Sequence, residues 1–164
     1  MSDIERLWKL YSKRVCRSAY LLVGDQREAE ALTQDVFVSA WRSLDSFRGK
    51  SNEYTWLYGI LINTFRNWLR ARRRVDRQLT EDRQGPSLEP PDEMQARELK
   101  MAIFSALNEL GSKHREVLVM YFLEGMTYSQ LSEALGCRMG TVKSRLWHAK
   151  RKLREELKSR GFEY

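Results

Sequence analysis

The chain has few of the residues on which catalysis, metal binding and covalent cross-linking depend. Its 164 residues include two histidines and two cysteines. His114 and His148 stand in no metal-ligand or triad spacing, and no glycine-rich phosphate loop is present. Cys16 and Cys137 form no CxxC pair and fit small packing residues in a reducing compartment. We therefore expect a protein that is not an enzyme, with no catalytic residue, no metal and no cofactor.

Long apolar runs are also missing. No segment approaches the roughly 18 apolar residues that a membrane span needs. The first residues, "MSDIERLWKLYSK", contain no uninterrupted apolar stretch of the kind found in a signal peptide. These patterns predict a cytoplasmic protein without direct membrane insertion.

Proline is rare, and all of it lies in one place. The stretch "DRQGPSLEPPDE" holds all three prolines, Pro86, Pro90 and Pro91. With Gly85 and its polar neighbours it is typical of a flexible linker. The linker predicts two domains able to reach separated sites, with the boundaries 1–75 (first domain), 76–92 (linker) and 93–164 (second domain).

Alternating strand-like patterns are lacking, whereas a 3.6-residue period runs through both halves, so the fold class is all-α with two small helical domains. The predicted helices are 4–23, 26–44 and 54–74 in the first half, and 93–110 and 113–123 in the second. An apolar stripe on the first helix includes Leu7, Leu10, Val15, Ala19 and Leu22. "DQRE" resembles a capping box at the start of the second helix, with Asp25 as the cap and Glu28 three residues later. Gly111 is expected to end the fourth.

The charge is unbalanced towards the positive. Lysine and arginine number 29 against 22 acidic residues, a net charge of +7. Such a balance favours a polyanionic partner, of which nucleic acid is the usual one.

The stretch "MTYSQLSEALGCRMGTVKSRL" predicts two short helices joined by a tight turn. Thr127 can cap the first helix, and Gly136 supplies the left-handed residue that ends it. On the second helix, Val142, Leu146, Ala149 and Leu153 recur at inward positions. The predicted unit is a helix-turn-helix whose outward face meets the DNA major groove. Its candidate DNA-binding residues are Arg138, Thr141, Lys143, Ser144, Arg145, His148 and Arg151. The alternative is a helical hairpin with a solvated basic face.

The third helix has a second outward polar stripe, which includes Gly59, Asn63, Arg66, Asn67, Arg70 and Arg74. This stripe suits a DNA backbone, and Gly59 would allow close approach; the alternative is a solvated charged face.

Both halves resemble one family. The segment "LNELGSKHREVLVMYFLEGMTYSQLSEALGCRMGTVKSRLWHAKRKLREEL" is similar to region 4 of the extracytoplasmic-function sigma factors, with "GTVKSRL" as its most specific part. "REAEALTQDVFVSAWRSLDSFRGKSNEYTWLYGILINTFRNWLRARRR" resembles region 2 of the same family. The resemblance covers nearly the whole chain in the expected order. Ala31 stands where the family usually has an acidic residue, and His148 replaces a frequent arginine.

The resemblance implies a sigma factor that binds core RNA polymerase and promoter DNA, with region 4 reading the −35 element. It implies core-polymerase binding through the second helix, at Ala31, Gln34, Asp35, Val38 and Arg42. It implies that the third helix and the preceding loop melt and read the −10 element. The residues concerned are Phe47, Arg48, Gly49, Lys50, Ser51, Asn52, Asn63, Arg66, Asn67, Arg70 and Arg74. An anti-sigma factor, which can hold such a protein at the membrane, is implied as a further partner. The rival hypothesis is a dimeric helix-turn-helix repressor that acts without polymerase.

Overall fold

The computed structural model describes residues 1–47, 49, 51–76 and 94–163, and all regular structure in these ranges is helical. The first half contains α1 (Asp3–Val23), α2 (Gln26–Ser43), a single 3₁₀ turn (Leu44–Ser46) and α3 (Glu53–Asp76). The second half contains α4 (Met94–Glu109), α5 (Ser112–Leu118), a π-helical turn (Val119–Leu123), α6 (Tyr128–Leu135) and α7 (Met139–Ser159). The all-α prediction is confirmed. Residues 77–92 of the predicted linker lie outside the described residues.

Side-chain caps fix the start of α2, although in a different way from the predicted capping box. The Asp25 carboxylate accepts the backbone N–H of Glu28 at 2.9 Å, as expected. The Glu28 carboxylate does not turn back to Asp25; it accepts the indole N–H of Trp68, also at 2.9 Å. A half-buried indole N–H needs an acceptor, and this bond ties α2 to α3.

The inward face of α1 was predicted correctly at four of its five positions. Leu7, Val15, Ala19 and Leu22 are buried, but Leu10 is 56 % exposed. At about 100° per residue, Leu10 points half a turn away from Ala19, so both cannot face the same core. The buried hydroxyl of Ser18 lies on the inward face instead.

The two halves pack on one another and share a single apolar core. That core contains Leu22 and Phe65 from the first half together with Leu118 and Leu131 from the second. The helices α3 and α6 cross in contact, and α1 touches both α5 and the π-helical turn. The ring of Tyr20 on α1 stacks on Phe104 of α4, with centroids 5.1 Å apart.

Gly59 lies at the crossing of α3 and α6. A Cβ atom on this glycine would come 3.9 Å from the backbone of Ala134. In this structure α6 occupies that side of α3, so the close approach that was expected of DNA at Gly59 is made by α6.

The connection between α4 and α6 places two acidic side chains inside the molecule, Glu116 on α5 and Glu124 after the π-helical turn. Gly111 does not end α4 as predicted: α4 ends at Glu109, and Gly111, with φ −60°, precedes the first residue of α5. The π-helical turn then leads to Glu124, and Gly125 reverses the chain with φ +65°. The reversal leaves Glu124 buried against the first half.

Candidate nucleic-acid interface

The helices α6 and α7 form the predicted helix-turn-helix, and its turn is held by local hydrogen bonds. The Thr127 hydroxyl accepts from the N–H of Gln130, and the Gln130 side chain accepts from the N–H of Thr127, which makes a full capping box. Gly136 ends α6 in the left-handed region with φ +66°, where a side chain would be strained. The Ser132 hydroxyl donates to the carbonyl of Cys137 at 2.5 Å and fixes the turn.

Along α7, the predicted inward and outward faces are both observed. Val142, Leu146 and Ala149 are buried, while Leu153 is half-buried. The predicted DNA-binding residues form the other side of the helix. Five are exposed and two are half-buried: Arg138, Lys143, Ser144, His148 and Arg151, then Thr141 and Arg145.

An aromatic side chain that the sequence reasoning missed lies on this face. Trp147 is 59 % exposed, and its ring meets that of His148 edge-on at 4.9 Å. The guanidinium of Arg151 lies over the same indole at 5.7 Å and also pairs with Glu155 at 3.3 Å. The sequence could have predicted this position, because Trp147 follows Ser144 by three residues and residues three apart are neighbours on a helix surface.

The predicted −10 stripe on α3 is divided by the packing of the two halves. Asn63, Asn67, Arg70 and Arg74 are exposed, and Arg70 donates to the Asn67 side-chain oxygen. Arg66 is half-buried and points into the second half of the molecule. Its Nε and Nη2 atoms donate to the Glu116 carboxylate at 3.1 and 3.0 Å, and these bonds raise the pKa of Arg66.

The loop before α3 is only partly available as a base pocket. Phe47 is half-buried, with its ring centroid 4.8 Å from that of Trp56. Gly49 is exposed with φ +67°. The Asn52 side chain accepts the backbone N–H of Thr55 at 2.7 Å and so supports the start of α3. Ser51 is half-buried; Arg48 and Lys50 lie outside the described residues.

The outer face of α2 carries the residues predicted to bind core polymerase. All are exposed, namely Ala31, Gln34, Asp35, Val38 and Arg42. Trp41, at 62 % exposure, extends this face and was not predicted. Trp41 follows Val38 by three residues, so helical spacing would have predicted that the two side chains lie side by side.

Among the described residues, the most enclosed acidic side chain at the contact between the halves is Glu124, which the sequence did not single out. Its carboxylate accepts from the hydroxyls of Ser18 and Tyr58 at 2.6 and 2.8 Å and from Arg14 at 2.9 Å. Burial and the charge of Glu124 raise the pKa of Tyr58 far above its usual range.

The described residues provide neither a metal site nor a membrane-spanning helix. In those ranges no cluster of three histidine, cysteine or acidic side chains is placed to hold a metal ion. None of the helices that the structure describes has the length and apolar character needed to cross a bilayer.

A basic helix-turn-helix packed on a second helical unit with its own exposed basic stripe defines a DNA-binding protein. Comparison with known families specifies it further. Residues 7–75 match the model of sigma-70 region 2, and residues 100–153 match that of sigma-70 region 4. The chain belongs to the extracytoplasmic-function sigma factors of the sigma-70 family, which are non-enzymatic subunits that direct transcription initiation by RNA polymerase.

Individual relatives agree with this assignment. The chain is 34 % identical to the ECF RNA polymerase sigma-E factor of Haemophilus influenzae, over 77 % of this chain and 72 % of the relative. It is 32 % identical to the RNA polymerase sigma-H factor of Pseudomonas aeruginosa, over 85 % and 78 % of the two chains. Among solved structures, the sigma factor RpoE of Bartonella quintana, crystallised with the anti-sigma factor NepR, superposes with a TM-score of 0.77. That match has 29 % identity and covers 96 % of this chain and 98 % of the other.

Proposed function

We propose that this sigma factor reads the −35 element as duplex DNA with the outward face of α7. The observation that carries the proposal is the exposed polar face of a helix whose opposite face is buried. Serine and threonine can approach base edges there, histidine can donate to an acceptor, and arginine or lysine can reach phosphates or guanine. Seven predicted residues and one further residue are assigned to this role: Arg138, Thr141, Lys143, Ser144, Arg145, His148 and Arg151, together with Trp147.

The −10 element is assigned to α3 and the loop before it. The exposed Asn63, Asn67, Arg70 and Arg74 face solvent together and suit a nucleic-acid backbone. The loop from Phe47 to Asn52 would hold an unstacked base of the separated strand, whose extrusion costs a few kcal/mol. Arg66 belongs to the same stripe and has to leave Glu116 before it can contact DNA.

Core RNA polymerase is assigned to the outer face of α2. Val38 and Trp41 form an exposed apolar centre among polar side chains, which is the usual composition of a protein interface. The division into region 2 (1–75), linker (76–92) and region 4 (93–164) is part of the same proposal.

An anti-sigma factor is the further partner that we propose. The RpoE relative was crystallised with such a protein, NepR. The proposal places the chain in the cytoplasm, where an anti-sigma factor in the membrane could retain it.

The test is transcription by reconstituted holoenzyme on a promoter library randomised at both elements. Ser144→Ala with His148→Ala should change preferences at the −35 element only, because each lost base contact is worth about 1–3 kcal/mol. Arg70→Ala with Arg74→Ala should weaken binding on all templates and lower its salt dependence, because phosphate contacts are lost. Both arginines are exposed, and neither makes a hydrogen bond or ion pair with the described residues of region 4, so these changes leave the domain contact intact.

Lys158→Ala is a matched control, since Lys158 is a basic exposed residue at the far end of α7. It should leave both preferences unchanged. If the His148 variant shifted the −10 preference, the division of roles between the two regions would be wrong. A repressor that reads one palindrome would show no separate effects at two elements.

A further inference from the structure

The last turns of α3 and the start of α5 enclose a cavity of about 250 Å³ with a basic lining. Three arginines contribute to that lining, Arg72 and Arg73 from α3 and Arg115 from α5. The other lining residues are uncharged, and two of them, Asn108 and Ser112, add polar side chains. The described residues therefore bring three positive charges to one concave surface without placing a carboxylate in it.

Contacts within the protein hold two of these guanidinium groups in position. The Arg72 guanidinium lies over the indole ring of Trp68, 5.2 Å from its centroid. That indole is itself fixed, because its N–H donates to the Glu28 carboxylate at 2.9 Å. Arg115 donates from Nη1 to the backbone carbonyl of Leu22 at 2.6 Å. The basic lining is therefore organised before any ligand arrives, which lowers the entropic cost of binding.

Electrostatics indicates which kind of ligand the cavity would take. Arg72 and Arg73 make no ion pair or hydrogen bond with any other described residue. Like charges gathered at one concave surface repel each other, and the shape of the surface focuses their field on an incoming anion. A guanidinium presents its N–H donors as a planar fork that matches the oxygens of a carboxylate or a phosphate.

The size of the cavity limits the ligand further. Pockets that bury most of a drug-sized molecule are roughly 300–1,000 Å³. A cavity of 250 Å³ therefore admits a small ion but does not enclose a whole nucleotide. A phosphate group has both the negative charge and the several acceptor oxygens needed to bond more than one guanidinium at a time.

We propose that this cavity binds a phosphate-type oxyanion, either free inorganic phosphate or the phosphate end of a nucleotide whose remainder stays outside. Arg72 and Arg73 hold the ion from α3, and Arg115 holds it from α5. None of these three arginines is assigned above to the −10 element, the −35 element or polymerase, so the site is additional to the proposed functions. Because the ion binds the folded chain, it should also raise the melting temperature.

The first measurement is titration calorimetry of the full-length protein with inorganic phosphate, with sodium chloride added to keep the ionic strength constant. Arg72→Gln should weaken phosphate binding about tenfold, because a hydrogen bond to a charged group is lost. Arg73→Gln should weaken it to a smaller extent, because Arg73 is exposed to solvent. Arg17→Gln is the matched control: it removes the same charge from an exposed position on α1 outside the cavity, and the affinity should stay at the parent value.

The second measurement places a carboxylate in the cavity. Ser112→Asp supplies a negative charge where the ion would lie, so phosphate should no longer raise the melting temperature of this variant. Ser112→Asn has a side chain of nearly the same shape without the charge and should keep the response to phosphate. Circular dichroism should show the helix content of the parent in every variant.

Adenosine monophosphate identifies the source of the phosphate group. An affinity equal to or above that of inorganic phosphate would assign the site to nucleotides, and a lower affinity would assign it to the free ion. Either result agrees with the proposal when Arg72→Gln reduces the binding.

Three results would overturn the proposal. If Arg72→Gln and Ser112→Asp keep the parent affinity for phosphate, the cavity is not the site. If phosphate raises the melting temperature equally in every variant, it acts through exclusion from the protein surface. If Arg72→Gln and Arg73→Gln weaken binding of a single strand carrying the −10 element but not of phosphate, these arginines belong to the DNA interface. The −10 role of Arg70 and Arg74 is decided separately, by the promoter library.

Discussion

Gly59 gives a quantitative test of how closely region 4 packs on region 2. It lies in the interior of α3, where glycine costs about 0.5–1 kcal/mol relative to alanine because of its backbone freedom. The methyl group added by Gly59→Ala would lie 3.9 Å from the Cα and carbonyl oxygen of Ala134. This is an ordinary van der Waals distance, so the substitution should add packing without displacing α6.

We therefore expect Gly59→Ala to raise the free energy of unfolding by about 0.5–1 kcal/mol. For a chain of this size, 1 kcal/mol corresponds to about 2–4 °C in the melting temperature. The assay is thermal and urea unfolding followed by circular dichroism. Gly136→Ala is the matched control: it also has no neighbour that would clash, but its φ of +66° makes alanine cost about 1–2 kcal/mol.

A lower melting temperature for Gly59→Ala would refute this reasoning, because it would mean that the space between α3 and α6 at this position is too small for a methyl group. Unchanged stability would mean that the gain from alanine in α3 is offset by a cost of fitting the methyl group against α6. Weaker binding to the −10 strand with unchanged stability would instead restore the hypothesis that DNA approaches α3 at Gly59.

Two further predictions concern the polymerase face and the pH dependence of folding. Asp35→Arg or Val38→Glu should weaken binding to core polymerase in a titration and leave the circular dichroism spectrum unchanged, because both side chains are exposed; normal affinity in both would remove the proposed face. Burial lowers the pKa of His114, and the neighbouring Lys152, His148 and Arg145 lower it further. His114 therefore binds a proton more weakly in the folded chain than in the unfolded chain. Stability should fall as the pH drops from 7 through the ordinary histidine pKa of about 6.5, and urea titrations of His114→Gln should show a smaller loss over that range.

The sequence by itself determined the local structure, because the signals for it are local. Thr127 and Gly136 predicted both ends of α6, since capping depends on atoms within a few residues. The buried face of α7 followed from the spacing of Val142, Leu146 and Ala149. The family resemblance came from the motifs in both halves, and the comparisons confirm it.

Some residues that the sequence left out could have been found from it. Trp41 and Trp147 lie at helical neighbours of Val38 and Ser144, so their exposure follows from the same spacing. Leu10 shows the opposite error: its hydrophobic character suggested a buried position that the helical angle does not allow.

Only the tertiary structure decided what happens between the two halves. Glu124 and Arg14 are 110 residues apart, and Glu116 and Arg66 are 50 apart. No periodicity or cap connects such positions, and a glutamate is normally expected at the surface. Whether a carboxylate is solvated or enclosed depends on which donors the folded chain brings to it. The packing of region 4 on region 2 therefore turned two ordinary glutamates into the contacts that bind the two regions together.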